Sequence, residues 1–290
     1  MKQLKSSTRY TLITLATGLL LSLLGLLLGG WQEIGNHLDN SYQVQQVEFD
    51  NLQKINSSTN LTISTSDVEK PTLYFQVSKK QGSPIVYELI NGSLTIEDNN
   101  DQGFRYDGFL EGIKMLQENQ TQTQTQTQTY TTPTLLLPAG SHLDELTGGL
   151  FDGNANLEDM TVDKLDISIN NGNFLAKKTT IHSTNIVVWD GDIDLQEVKL
   201  EDVEDSSSDQ LNHLTVENGN IRATGLQVIG NYDVLAYNGD IDLTIHKESL
   251  KDLAIEELSA DEDSEQTTHG NPNAKNKLTL HSQNGDIYVQ

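Results

Sequence analysis

Two hydrophobic patterns divide this chain. Residues 10–32 carry no charge, and residues 12–28 are dense in leucine. From residue 44 onward apolar residues alternate with polar ones instead, as in Val47 and Phe49, Leu61 and Ile63, and Leu73, Phe75 and Val77. The first pattern predicts a helix able to cross roughly 30 Å of hydrocarbon. The second has a period of two, which predicts strands with one buried face.

One turn recurs through the alternating part. Asn or Asp, then Gly, then a small polar residue appear around Gly92, Gly153, Gly172, Gly191, Gly219, Gly239 and Gly285. Asn-Gly and Asp-Gly reach positive φ at low cost, so each copy predicts a sharp turn. Gly153, Gly172 and Gly191 are 19 residues apart, and Gly219 and Gly239 are 20 apart. Apolar residues keep their places around the turn. Ile167 and Ile169 precede Gly172 as Ile186 and Val188 precede Gly191, and Phe174 and Ala176 follow as Ile193 and Leu195 do. A third pair comes later, Val198 and Leu200 in one copy and Leu226 and Val228 in the next. One repeat thus reads as three short strands in about 20 residues.

A unit of that size cannot bury enough apolar surface to offset the ordering of its own chain. Copies must stack and share a core and a backbone ladder. The expected fold is all-β: a β-solenoid, similar to a single-stranded β-helix, with rungs of about 20 residues and one N-terminal transmembrane helix before it. A sandwich of antiparallel hairpins competes, because Asn-Gly is also a strong hairpin signal. The short period and the matching flanks favour the solenoid.

Residues 33–43 read as a polar stalk, and residues 44–290 as the repeat domain. The domain is interrupted three times. The segment from Gln120 to Thr129 is five Gln-Thr pairs, so about 117–131 reads as a disordered loop. Acidic insertions at about 201–210 and 247–275 account for the wide gaps before Gly219 and Gly285. Part of the second, through Leu250, Leu253, Ala254 and Leu258, reads as a degenerate rung or a short helix. The rest, with Gly270, reads as a solvated loop.

Charge orients the chain. Residues 1–9 hold Lys2, Lys5 and Arg9 and no acid, which predicts a cytoplasmic leader, a single membrane pass at 10–32 and an extracellular domain. A cleaved signal peptide would have a shorter apolar core, about 7–15 residues, ending in an Ala-x-Ala-like site. Leu28-Gly29-Gly30-Trp31 matches that poorly. Gly25 and Gly29 form a GxxxG pair that could give a weak dimer face, although glycine is common in membrane helices anyway. The chain has no Cys, which excludes disulfides and thiolate metal sites. Its net charge of −24 argues against nucleic acid and anionic lipid as partners. Mutual repulsion at an outer surface accounts for it otherwise.

Candidate chemistry is sparse. Asp190, Asp192 and Asp194 alternate, and Asp240 and Asp242 repeat the arrangement, so stacked rungs could gather oxygens for Ca²⁺. Turn geometry and an outward strand face explain the same residues without a metal. The seven His are scattered, with no paired spacing of a zinc helix. No GxSxG, phosphate-loop or dinucleotide glycine pattern occurs. Arg222 is the sole arginine after Arg105, which leaves lyase chemistry without a basic cluster. No catalytic residue and no cofactor are indicated.

The order of motifs is similar to a known family. Phe49-Asp50-Asn51-Leu52, Ser64-Thr65-Ser66-Asp67-Val68, Asn91-Gly92-Ser93-Leu94-Thr95-Ile96 and Leu135-Leu136-Leu137-Pro138-Ala139-Gly140 precede the Asn-Gly-Asp-Ile turns. This resembles the LiaG-like family of bacterial putative adhesins with β-strand repeats, a domain family of unknown function. The resemblance covers roughly residues 44–290 and implies a membrane-anchored extracytoplasmic β-solenoid, in some members linked to envelope-stress regulators. The expected function is non-enzymatic: a surface for an envelope protein or a wall polymer, or an accessory role in envelope stress. The alternative is an enzyme acting on cell wall or exopolysaccharide on the same scaffold.

Overall fold

The computed structural model describes residues 42–78, 82–99, 132–202, 212–259 and 267–290. The apolar run at 10–32, nearly all of the stalk and the Gln/Thr segment lie outside the described residues. Among the described residues no helix is long and apolar enough to cross a membrane. They contain 22 strands and one turn of 3-10 helix, Ser249–Lys251. Nearly all of them belong to one compact unit, Val44–Val77 with Gln81–Gly103 and Gln128–Gln290.

The repeat is plainest between Thr161 and Gln196. Strand Thr161–Asn171 is followed by Phe174–Lys177, then Thr180–Asp190 and Ile193–Gln196. Each strand lies parallel to its counterpart one rung on: Ile167 beside Ile186, and Phe174 beside Ile193. A rung therefore gives an 11-residue strand to one sheet and a 4-residue strand to another. This corrects the expectation of three strands per repeat. The third apolar pair of one repeat and the first pair of the next share one long strand, as Met160 and Val162 lead directly into Leu165, Ile167 and Ile169. Three breaks were read where the chain needs two corners.

The long-strand sheet runs from Ser93–Asp98 through Lys54–Thr59, His142–Asp152, Thr161–Asn171 and Thr180–Asp190. It continues through Asn212–Asn218, Asn231–Asn238 and Asn276–Asn284. The short-strand sheet runs from Thr134–Pro138 through Thr62–Ser66, Ala155–Glu158, Phe174–Lys177 and Ile193–Gln196 to Ile241–Ile245 and Ile287–Val289. Strand Ile221–Ile229 belongs to both sheets, with Gly225 at φ 67° near its middle. Inward residues of the two sheets form one buried cluster in columns, for example Phe174, Ile193, Ile221 and Ile241. Apolar side chains stacked at strand spacing, roughly 4.8 Å, give each rung a core it could not form alone.

Antiparallel strands flank the parallel stack. Strand Ile85–Ile90 pairs with Ser93–Asp98 across a two-residue turn, with Asn91 at φ 50° and Gly92 at φ 80°. Two positive φ values define the hairpin turn type that Asn-Gly favours. Gly92 is thus a hairpin residue and not a rung turn, so the competing sequence reading holds at this one copy. The described part of the second acidic insertion also forms strands. After the single 3-10 turn, Leu253–Ser259 lies parallel to Asn276–Asn284 and antiparallel to Thr267–Gly270. Its apolar residues add a strand where a short helix was the alternative. Antiparallel additions of this kind blunt the open edge of a sheet.

Candidate functional site

The turn edge is built by its own repeat residues. A Cβ placed on Gly172 would lie 1.9 Å from the Gly153 carbonyl oxygen, and one on Gly191 1.9 Å from that of Gly172. Gly219, Gly239 and Gly285 would meet the preceding glycine in the same way, at 2.0, 1.8 and 2.2 Å. Gly172, Gly191, Gly219 and Gly239 also hold φ between 143° and 154°. Gly153 and Gly285 lack positive φ, so close stacking rather than φ is what the column shares. Gly270 is no neutral loop position: it sits at φ 74°, with Leu253 O 2.4 Å from where its Cβ would be.

The residue after each glycine makes a second column. Asn154 Oδ1 accepts from the Asn173 N–H at 2.8 Å, and Asn173 Oδ1 from the Asp192 N–H at 2.8 Å. Asp192 Oδ1 accepts from the Asn220 N–H at 2.7 Å, Asn220 Oδ1 from Asp240 at 2.9 Å, and Asp240 Oδ1 from Asp286 at 2.9 Å. The residue before each glycine stacks as well. Asn218 Nδ2 donates to Asp190 Oδ1 at 3.0 Å, and Asn238 Nδ2 to Asn218 Oδ1 at 3.0 Å. An Asn or Asp is required there because its short side chain reaches one rung up and no further.

The five candidate calcium ligands divide between the two ladders and the surroundings of Arg222. Asp190 is in the ladder before the glycines, and Asp192 and Asp240 are in the ladder after them. Asp194 and Asp242 flank Arg222 in the short-strand sheet. The guanidinium lies 2.9 Å from Asp192 Oδ2 and 3.9 Å from Asp194 Oδ1, a place a cation would take. Burial raises the pKa of the Asp192 carboxyl. The Asn220 backbone N–H, Arg222 and the Asn220 side chain outweigh that and hold it below its ordinary value. A depressed carboxylate contributes stability that is present above its unfolded pKa, 3.8, and is lost as pH falls through the lower folded value. Asp192→Asn keeps an oxygen for the ladder and loses the ion pair. We expect it to be less stable than the wild type by under about 1 kcal/mol at neutral pH, the pair being partly exposed. The difference should shrink as pH falls below 3.8 in denaturant titrations. A gap that ignores pH would disprove the ion-pair account.

The outward face of the long-strand sheet carries a different column. Leu150, Ile169, Val188, Val216 and Ala236 are in register, as are Asp152, Asn171, Asp190, Asn218 and Asn238. Phe151, Asn170, Trp189, Glu217 and Tyr237 lie between them, one per rung. Phe151 is 42% and Trp189 49% exposed, and Tyr237 is half-buried. An aromatic ring thus returns at every second rung, roughly 10 Å apart, with a polar residue between. Spacings of 38 and 48 residues hid this column in the sequence; it follows only once the rungs are aligned.

These features define a parallel β-repeat domain stacked on a glycine turn. The chain belongs to the Toastrack DUF4097 family, whose model matches residues 49–290. Among solved structures it is similar to a Clostridium sporogenes "putative cell adhesion protein", at 11% identity over 86% of this chain and 98% of that one, with a TM-score of 0.31. It is also similar to a "putative adhesin" of Bacteroides fragilis, at 10% identity over 87% and 98%, with a TM-score of 0.27. No curated protein matches it.

Proposed function

We propose that this is a non-enzymatic protein of the bacterial envelope, anchored by residues 10–32, whose long-strand face holds an uncharged wall glycan. The aromatic column Phe151, Trp189 and Tyr237 carries the reading. Rings at a regular step, two of them exposed and one half-buried, with Asn170 and Glu217 between them, suit a linear polymer laid along the stack. Aromatic rings offer flat apolar area at low entropy cost. The net charge of −24 disfavours anionic polymers and leaves neutral sugar. The cationic leader and the uncharged run support an extracellular domain. Arg222, engaged with Asp192, supports a binding role over lyase chemistry.

The test joins topology to binding. Protease added to intact protoplasts should remove a C-terminal tag. The purified chain should sediment with an insoluble neutral N-acetylglucosamine polymer. Trp189→Ala with Phe151→Ala should weaken that retention by about tenfold. A protected tag overturns the anchor, and retention indifferent to both substitutions overturns the glycan face.

A further inference from the structure

Rung stacking gathers histidines and carboxylates that the sequence scatters. Asp144, Asp163 and His182 occupy one position of three successive long strands: Leu143, Val162 and Ile181 align just before them, and Glu145, Lys164 and Ser183 just after. His142, two residues before Asp144, projects from the same face. The side chains converge. His142 Nε2 is 2.8 Å and His182 Nδ1 3.0 Å from one atom, Asp163 Oδ1. Ligand atoms of His142, Asp144 and Asp163 all lie within 4.8 Å of one another. On the other side of the His182 ring, Nε2 faces Glu201 Oε2 at 4.0 Å, and Lys199 holds that carboxylate at 2.7 Å.

We propose that His142, Asp144 and Asp163 bind a divalent transition-metal cation of the zinc class, with His182 orienting Asp163. An imidazole nitrogen and two carboxylates are a donor set for a borderline cation with an open position, whereas Ca²⁺ takes six to eight oxygens. Zinc bonds to nitrogen and oxygen are about 2.0–2.2 Å, so donors a few ångströms apart surround a centre of that size. A ligating carboxylate is commonly hydrogen-bonded in turn, which fixes its orientation. His182 Nδ1, 3.0 Å from Asp163 Oδ1, holds that carboxylate in this way. As plain surface hydrogen bonds the same contacts would contribute little stability. The site faces solvent, with the His142, Asp163 and His182 side chains 57%, 41% and 29% exposed, so a cation can enter without opening the core.

Calorimetry on the full chain, purified in detergent and stripped with chelator, tests this with Zn²⁺, Co²⁺ and Ca²⁺. One Zn²⁺ per chain should bind saturably, and Co²⁺ should develop the visible absorption of nitrogen coordination. His142→Ala and Asp163→Asn should each weaken Zn²⁺ binding at least tenfold, and Asp144→Asn by about tenfold. His213→Ala, at a separate contact 3.6 Å from Asp233, should leave it unchanged. Three results would overturn the site: no saturable Zn²⁺ uptake, uptake equal in all four variants, or Ca²⁺ binding as tight as Zn²⁺. Co²⁺ absorption needs no variant, so misfolding of a substituted chain does not spare the proposal.

Discussion

Gly191→Ala should destabilise the domain by at least about 3 kcal/mol, although it adds one methyl group. Positive φ alone costs an L-residue roughly 1–2 kcal/mol. The larger part comes from the neighbouring rung: the new Cβ would sit 1.9 Å from the Gly172 carbonyl oxygen, and backbone cannot swing aside as a side-chain tip can. To make room the rungs must part, which strains the Asn173–Asp192 and Asp192–Asn220 hydrogen bonds of the same edge. Gly172→Ala and Gly219→Ala should behave alike. Gly149→Ala is the control. Its φ is ordinary and nothing lies within 4 Å of the added atom, so it should stay within about 0.5 kcal/mol. Denaturant unfolding of the fragment from residue 44 onward measures all four. Equal tolerance at Gly149 and Gly191 would mean the rungs do not stack through their glycines.

The second large effect is expected inside the stack. Ile193→Ala and Ile241→Ala should each cost roughly 2–5 kcal/mol, the range for an aliphatic side chain truncated in a packed core. Both are fully buried. Ile193 lies between Phe174 and Ile221, and Ile241 between Ile221 and Ile287. Each truncation therefore opens a cavity shared by three rungs and weakens the coupling that holds neighbours together. Deleting residues 121–128 removes no apolar residue and should change stability by under about 1 kcal/mol, since loop closure depends weakly on length. Core variants that unfold at the wild-type midpoint, beside a deletion that unfolds the fragment, would place the core elsewhere.

What the sequence revealed depended on whether a position restricts residue type. The glycine corner was legible because nothing but Gly fits against the carbonyl below it, and the neighbouring Asn and Asp because only a short polar side chain spans the gap. The opposite corner was not. It repeats as Gly140, Asp159, Lys178, Glu197 and Gly225, all at φ between 50° and 76°. A lone left-handed residue in open space admits many types at modest cost, so no motif forms. The Gly92 hairpin was read as a rung because both turns reward the same Asn-Gly pair. The aromatic column and the cluster at Asp163 were hidden for a third reason. Their members differ in type, and only register makes them neighbours.

The glycine edge also governs where this architecture can grow. Between Gly153 and Gly285 both insertions interrupt the sequence elsewhere: one between Lys199–Glu201 and Asn212–Asn218, which both pair with Thr180–Asp190, and one after Ile245. At the glycine edge each backbone carbonyl is capped by the next turn, so an extra residue would shear two columns of hydrogen bonds at once. One seam of the domain is closed to insertion and the other two are open. Foreign loops grafted after Glu201 or Ile245 should therefore be displayed without cost to the fold, and variation among related chains should concentrate at those seams.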